Sequence, residues 1–230
     1  MGKYLQEIEI SPCNLYEKAK EKKFIEETRC IIYAVNSCLK RNVYSIYGKI
    51  AVILWPNEIL NANSVPRYEY DTMSSVCIIN IPYDIDLYTS TLNQADRNWI
   101  IYNILKNAFS SLPKEVELDG NILINILDEV RDRGFIYTKE TKCKVSSPSK
   151  DISARLQYLF DSTGIHVNAL IDRNGSDQAY TLSIGDYSIY DTCLILDVSA
   201  KLVFHDEDTL EFQPNNNYFK PVKQSISHIK

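Results

Sequence analysis

The residues best suited to chemistry are three histidines, six cysteines and several closely spaced carboxylates. His205 opens the run His205-Asp206-Glu207-Asp208. An imidazole beside carboxylates can hold a divalent cation or pass a proton. The same four residues also make an ordinary solvated turn, because charged side chains keep a hairpin tip in water. The solvated turn is the expectation. Cys193, His166 and either Asp191 or Asp197 are the parts of a thiol triad. Cys193 sits in the apolar run Cys193-Leu194-Ile195-Leu196, where a buried thiol is inert, so no triad is expected. Asp84 and Asp86 are a carboxylate pair of the kind a glycosidase uses, but two nearby acids are common in chains of this size. Cys13, Cys30, Cys38, Cys77, Cys143 and Cys193 form no C-x-x-C pair, and several lie in apolar runs. They are expected as free thiols that hold no metal. No Gly-rich phosphate loop, H-E-x-x-H or G-x-S-x-G occurs, so neither a catalytic residue nor a cofactor is assigned.

What remains is chemistry that binds. Asp206, Glu207, Asp208 and Glu211 surround one expected hairpin, and Asp172 and Asp177 flank another. Tyr187 and Tyr190 lie close to them in sequence and offer rigid rings with a polar handle. These eight residues are the candidate partner-binding set. Acids steer a cationic partner, while a few aromatic anchors concentrate interface energy.

The elements that must carry these residues follow from periodicity. Tyr4 to Ile10 reads as a strand, and Ser11-Pro12 as a helix N-cap followed by a first-turn proline. The helix is expected to reach Leu39. Tyr44 to Trp55 and Val76 to Ile81 read as strands stopped by Pro56 and Pro82. Thr89 or Thr91 is expected to cap a helix whose apolar stripe runs Leu92, Ala95, Trp99, Tyr102, Leu105, Phe109 and Leu112. Asp119 caps a shorter helix that Gly134 ends. Phe135 to Val145 reads as a strand. After Ser146 to Lys150 the helical period gives way to period two, with Asn174-Gly175 marking a hairpin. The expected fold class is therefore α+β: a mixed N-terminal part with about three helices, then a C-terminal antiparallel β meander. One domain over 1–230 is expected. A seam at 146–150 would separate 1–145 from 151–213, with 214–230 as a tail.

Composition limits the function. The 230 residues are 45% hydrophobic and 24% charged, ordinary values for a globular chain. The formal net charge is −5, and residues 151–230 alone hold six Lys/Arg against eleven Asp/Glu. An acidic surface repels nucleic acid and attracts basic partners, so no direct nucleic-acid contact is expected. The N-terminus has no signal-peptide core, and Gln6 breaks the myristoylation pattern. The longest apolar run, Ile50 to Trp55, falls far short of the roughly 20 residues that span a bilayer. A cytoplasmic chain with no membrane contact is expected. These features together have the profile of a non-enzymatic binding protein that neutralises a basic protein partner, such as a toxin or nuclease domain. A bacterial toxin-immunity (inhibitor) protein with an acidic surface works in this manner. The alternative is a small hydrolase-like enzyme with its site between the helical and β parts.

Overall fold

The computed structural model describes residues 3–39, 43–61, 65, 67–91, 93–176, 179–191, 200–215 and 217–227. The chain divides into two compact units, Met1–Ile136 and Tyr137–Lys230. All the described α-helices lie in the first unit and antiparallel sheets make the second, so the chain as a whole is an α+β protein.

In the first unit β1 (Lys3–Tyr4) is followed by β2 (Glu7–Pro12), then the long helix α1 (Lys18–Leu39). Next come β3 (Tyr44–Ser45), β4 (Lys49–Trp55), the short helix α2 (Asn57–Asn61), β5 (Tyr68–Asp71) and β6 (Val76–Pro82). β2, β4 and β6 run parallel, and β5 is antiparallel on β6, in the order β2-β4-β6-β5. β1 and β3 pair separately. Ile8, Ile10, Ile50, Val52, Leu54, Cys77, Ile79 and Ile81 are buried. Each large aliphatic side chain fully withdrawn from water stabilises the fold by about 1.5–3 kcal/mol.

The expected cap at Ser11-Pro12 is corrected: both residues finish β2, and α1 begins at Lys18. Cys13 N–H still donates to Leu54 O at 2.9 Å, so the missing N–H of Pro12 falls on the outer edge, where no ladder bond is lost. That edge is also guarded. The Asn36 amide of α1 accepts from Ile8 N–H at 2.8 Å and donates to Ile8 O at 3.0 Å, imitating a neighbouring strand.

After β6 come α3 (Ile85–Ser90), α4 (Gln94–Ser110) and α5 (Gly120–Asp132). Asn93, rather than Thr89 or Thr91, caps α4 by accepting from Ala95 N–H at 2.9 Å. Tyr102, Leu105 and Phe109 are buried as the stripe requires. Trp99 is not: it is 46% exposed, because the buried face rotates towards Asn98 and Ile101 in the first turns. Leu92 lies outside the described residues. Asp119 caps α5 through Asn121 N–H at 2.9 Å, as expected. The helix ends in a Schellman motif: Phe135 N–H donates to Val130 O at 2.9 Å and Gly134 N–H to Arg131 O at 2.8 Å, with Gly134 at φ +73°.

The second unit is built from β7 (Tyr137–Glu140), β8 (Val145–Ser146), β9 (Ile152–Phe160), β10 (Ile165–Arg173) and β11 (Ala179–Tyr187). These pair in the order β11-β10-β9-β7, with β8 also on β9. The strand expected over Phe135 to Val145 is thus two short strands on one partner. β12 (Lys201–Phe204), β13 (Thr209–Gln213) and β14 (Val222–Ser225) form a second antiparallel sheet. β14 falls within the stretch read as a tail; its pairing to Thr209–Phe212 is not announced by any alternation of its own. Along β9 the buried positions Ile152, Ala154, Leu156, Tyr158 and Phe160 alternate strictly with half-exposed ones, the period-two pattern of a sheet wet on one side.

Candidate functional site

The seven candidate binding residues that are described fall at different places in the second unit. At one end three turns meet. Ser147–Lys150 is the central turn, with Lys150 at φ +65°. Glu207, at the β12–β13 tip, accepts from Ser149 N–H at 2.6 Å and from Ser149 Oγ at 2.8 Å. Asn174, in the β10–β11 turn, donates from Nδ2 to Lys150 O at 2.7 Å. Asp206 accepts from Asp208 N–H at 2.9 Å and closes its own turn. Hydrogen bonds from these partners hold the Asp206 and Glu207 carboxyls below their usual range. Asp172 is paired with Lys144 at 2.7 Å and Arg155 at 3.2 Å, and the Lys144 bond leads in lowering its pKa. Asp177 lies outside the described residues.

Glu211 requires a correction as a surface acid. It is 7% exposed on β13 and receives hydrogen bonds from Gln213 Nε2 at 2.6 Å and His205 Nε2 at 2.8 Å. Those bonds, Gln213 first, hold its carboxyl below the usual range. The His205 imidazole therefore serves this carboxylate within the sheet. Among the described residues no group of three or more His, Cys, Asp or Glu is placed to hold a metal ion.

Tyr187 lies at the other end, opposite Ile165 at the far end of β10 from Asp172, with Tyr190 in the short 3-10 turn that follows. Eight strand steps separate Ile165 from Arg173, roughly 26 Å at the usual rise. The Tyr187 ring meets Phe219 edge to face, with centroids 4.9 Å apart, and burial pushes its hydroxyl pKa up. Tyr190 and Tyr218 are exposed. Gly164 packs so closely on Tyr187 that an added Cβ would lie 2.4 Å from Tyr187 O, which fixes the β9–β10 turn against this segment.

That turn carries a cluster the sequence did not single out. Asp161 Oδ1 accepts from Thr163 N–H and Thr163 Oγ1, each at 2.7 Å, and from Gly164 N–H at 3.2 Å. Asp161 Oδ2 lies 3.3 Å from His166 Nε2, while His166 Nδ1 lies 2.7 Å from Asp186 Oδ1. A neutral imidazole has one N–H, so carboxylates on both nitrogens call for the imidazolium. Consistently, the Asp186 hydrogen bond leads in raising the His166 pKa. Burial pushes the Asp161 carboxyl up, but the Thr163 and Gly164 hydrogen bonds and the nearby imidazolium outweigh it and leave the pKa lowered. Asp186 is 74% exposed at the side chain, so one oxygen is free to face solvent while the other holds the imidazole. His166 thus belongs with Asp161 and Asp186. Cys193 and Asp197, which with His166 were the parts of a triad that was not expected, lie outside the described residues, as does His228.

In the first unit, Asp84 caps α3 through Asp86 N–H at 2.9 Å, and Asp86 pairs with Lys20 at 2.7 Å. The two acids are thus engaged in a cap and an ion pair. A denser polar network joins α4 to α5: Tyr102 OH donates to Asp128 and accepts from Lys106 at 2.9 Å and Arg131 at 2.8 Å. Both cations also lie over the Tyr102 ring, at 5.2 and 5.3 Å. No family model, curated protein or solved structure matches the chain.

Proposed function

We propose that the chain is a binding protein that captures and neutralises a basic protein partner, in the manner of a toxin-immunity protein, through the Tyr187 end of its second unit. One observation carries the reading. At that end an exposed carboxylate, Asp186, and a second, Asp161, stand beside the Tyr187–Phe219 pair and the exposed Tyr190 and Tyr218. Carboxylates attract a cationic partner, and rings held by packing give contact area at little entropy cost. The net charge of −5 acts in the same direction at long range.

The acids of the opposite end support this role less: Asp172 is paired with two cations, both Glu207 oxygens accept from Ser149 and Glu211 is buried, whereas Asp186, though bonded to His166, keeps its other oxygen towards solvent. The reading includes a cytoplasmic site of action and no nucleic-acid contact. No described helix is long and apolar enough to cross a membrane. The test is capture from the native host at low salt, followed by identification of the captured protein. An Asp186→Asn, Tyr190→Ala variant should lose the partner that wild type retains, while Asp206→Asn keeps it. Loss with Asp206→Asn alone, or turnover of a small-molecule or peptide substrate by the purified chain, sinks the reading.

A further inference from the structure

We propose that Asn174 is a site of spontaneous modification, at which the main-chain nitrogen of Gly175 displaces the side-chain amide. A bond forms between Gly175 N and Asn174 Cγ, and the Cγ–Nδ2 bond breaks. The amide nitrogen leaves with the transferred proton as ammonia, and a succinimide remains. Water then opens the ring at either carbonyl, giving aspartate or isoaspartate. Water is the only co-reactant, and no oxidation state changes.

The geometry exposes the reacting pair. Residues 173–176 form a β-turn closed by Ser176 N–H donating to Arg173 O at 3.1 Å, with Gly175 at φ +79°. Positive φ at the third turn position with negative φ at the second is the type II arrangement, which favours glycine there. Asn174 and Gly175 are both exposed, and a Cβ added at Gly175 would meet nothing within 4 Å. Both residues of the reacting pair thus lie open to solvent, and beyond the chain neighbours nothing crowds Gly175. Asn is among the thermally labile residues for this reason.

The same geometry gives the reaction a consequence. The Ser147–Lys150 turn is held from two sides, by Glu207 on Ser149 and by the Asn174 amide on Lys150 O. The product carboxylate has no N–H to offer Lys150 O, so acceptor faces acceptor. It also adds a negative charge beside Asp151 and Asp172. Isoaspartate further lengthens the main chain by one carbon at the turn that Asn174 N–H anchors to Asp151 O at 2.8 Å. Modification therefore releases one of the two clamps on the central turn.

Purified protein is incubated at mildly alkaline pH and 37 °C, folded and in denaturant, and followed by anion exchange and peptide mass. Trypsin cuts after Arg173, so the reporting peptide begins at Asn174. The folded protein should gain a later-eluting species whose amide-to-acid mass change maps to that peptide. Asn174→Gln should not gain it. The modified species should exchange amide hydrogens faster across residues 147–151 than the parent. An Asn174 that stays intact in the folded protein while it converts in the denatured chain overturns the proposal. Conversion without faster exchange at 147–151 overturns the clamp.

Discussion

Replacing Arg97 with Met removes the most deeply placed ion pair among the described residues of the first unit. Arg97 Nη1 lies 2.9 Å from Glu27 Oε2, with the two side chains 13% and 6% exposed. Arg97 Nε also donates to Thr91 O at 2.7 Å, and the guanidinium lies 5.5 Å from the Tyr88 ring centroid. One side chain thus ties α1 to the link between α3 and α4. Removing it leaves Glu27 buried with Lys23, 3.8 Å away, as its remaining cation. Breaking a buried pair from one side costs ~3–5 kcal/mol, and the Lys23 contact places Arg97→Met at about 3 kcal/mol. At roughly 3 °C per kcal/mol for a unit of this size, the melting temperature should fall by roughly 10 °C. Tryptophan fluorescence is the assay, because the two tryptophans, Trp55 and Trp99, both lie in the first unit. Glu27→Gln combined with Arg97→Met should cost less than the two single changes added together, since each single change strands a charge or a donor. If Arg97→Met melts within two degrees or so of wild type, or the pair of changes is additive, the clasp is not part of what holds these helices.

Trp99→Ala should destabilise by about 1–2 kcal/mol and Phe109→Ala by about 3–5 kcal/mol, because Trp99 is half exposed and Phe109 buried; equal losses in urea unfolding would place Trp99 in the core after all. Gly120→Ala should cost about 1–3 kcal/mol, since the new Cβ would lie 2.0 Å from Phe109 O and the α4–α5 junction must shift; an unchanged melt would contradict that close approach. His166 should titrate above an ordinary histidine, by imidazole NMR, and Asp186→Asn should bring it down. Because the folded pKa is raised, the stabilisation is complete below the unfolded value and is lost as pH rises through the folded one. A His166 pKa at or below the ordinary value removes the imidazolium from the cluster.

How much of this was legible in the sequence depended on whether the signal was local. The cap at Asp119 and the glycine at 134 act within one turn of α5, and both are seen. The alternation of β9 depends on its own residues and is seen throughout, while that of β10 is seen except at Asn168, which is buried. Pro12 was misread because the same residue suits a helix start and the outer edge of a strand, and only the pairing to Leu54 decides. Trp99 matched the helical period, but the face that is buried is set by packing partners elsewhere in the chain. The short helices α2 and α3 lack the length for a period to show. At the candidate site, turn acids were visible as a composition, but their bonding was not: Glu207 reaches Ser149 across 58 residues of sequence. Asp161 and Asp186 were passed over because their partner, His166, meets them only through the β9–β10–β11 register. An Asp in a D-S-T-G turn next to a strand histidine was the one available hint.

The most direct test of the binding proposal is the association rate with the captured partner as a function of salt. The account predicts fast association at low salt that slows steeply as salt is added, with the Asp186→Asn, Tyr190→Ala variant both slower to bind and flatter in its salt dependence. A variant with the wild-type rate and the wild-type salt slope would show that the partner does not use the Tyr187 end of the second unit, and would contradict the account.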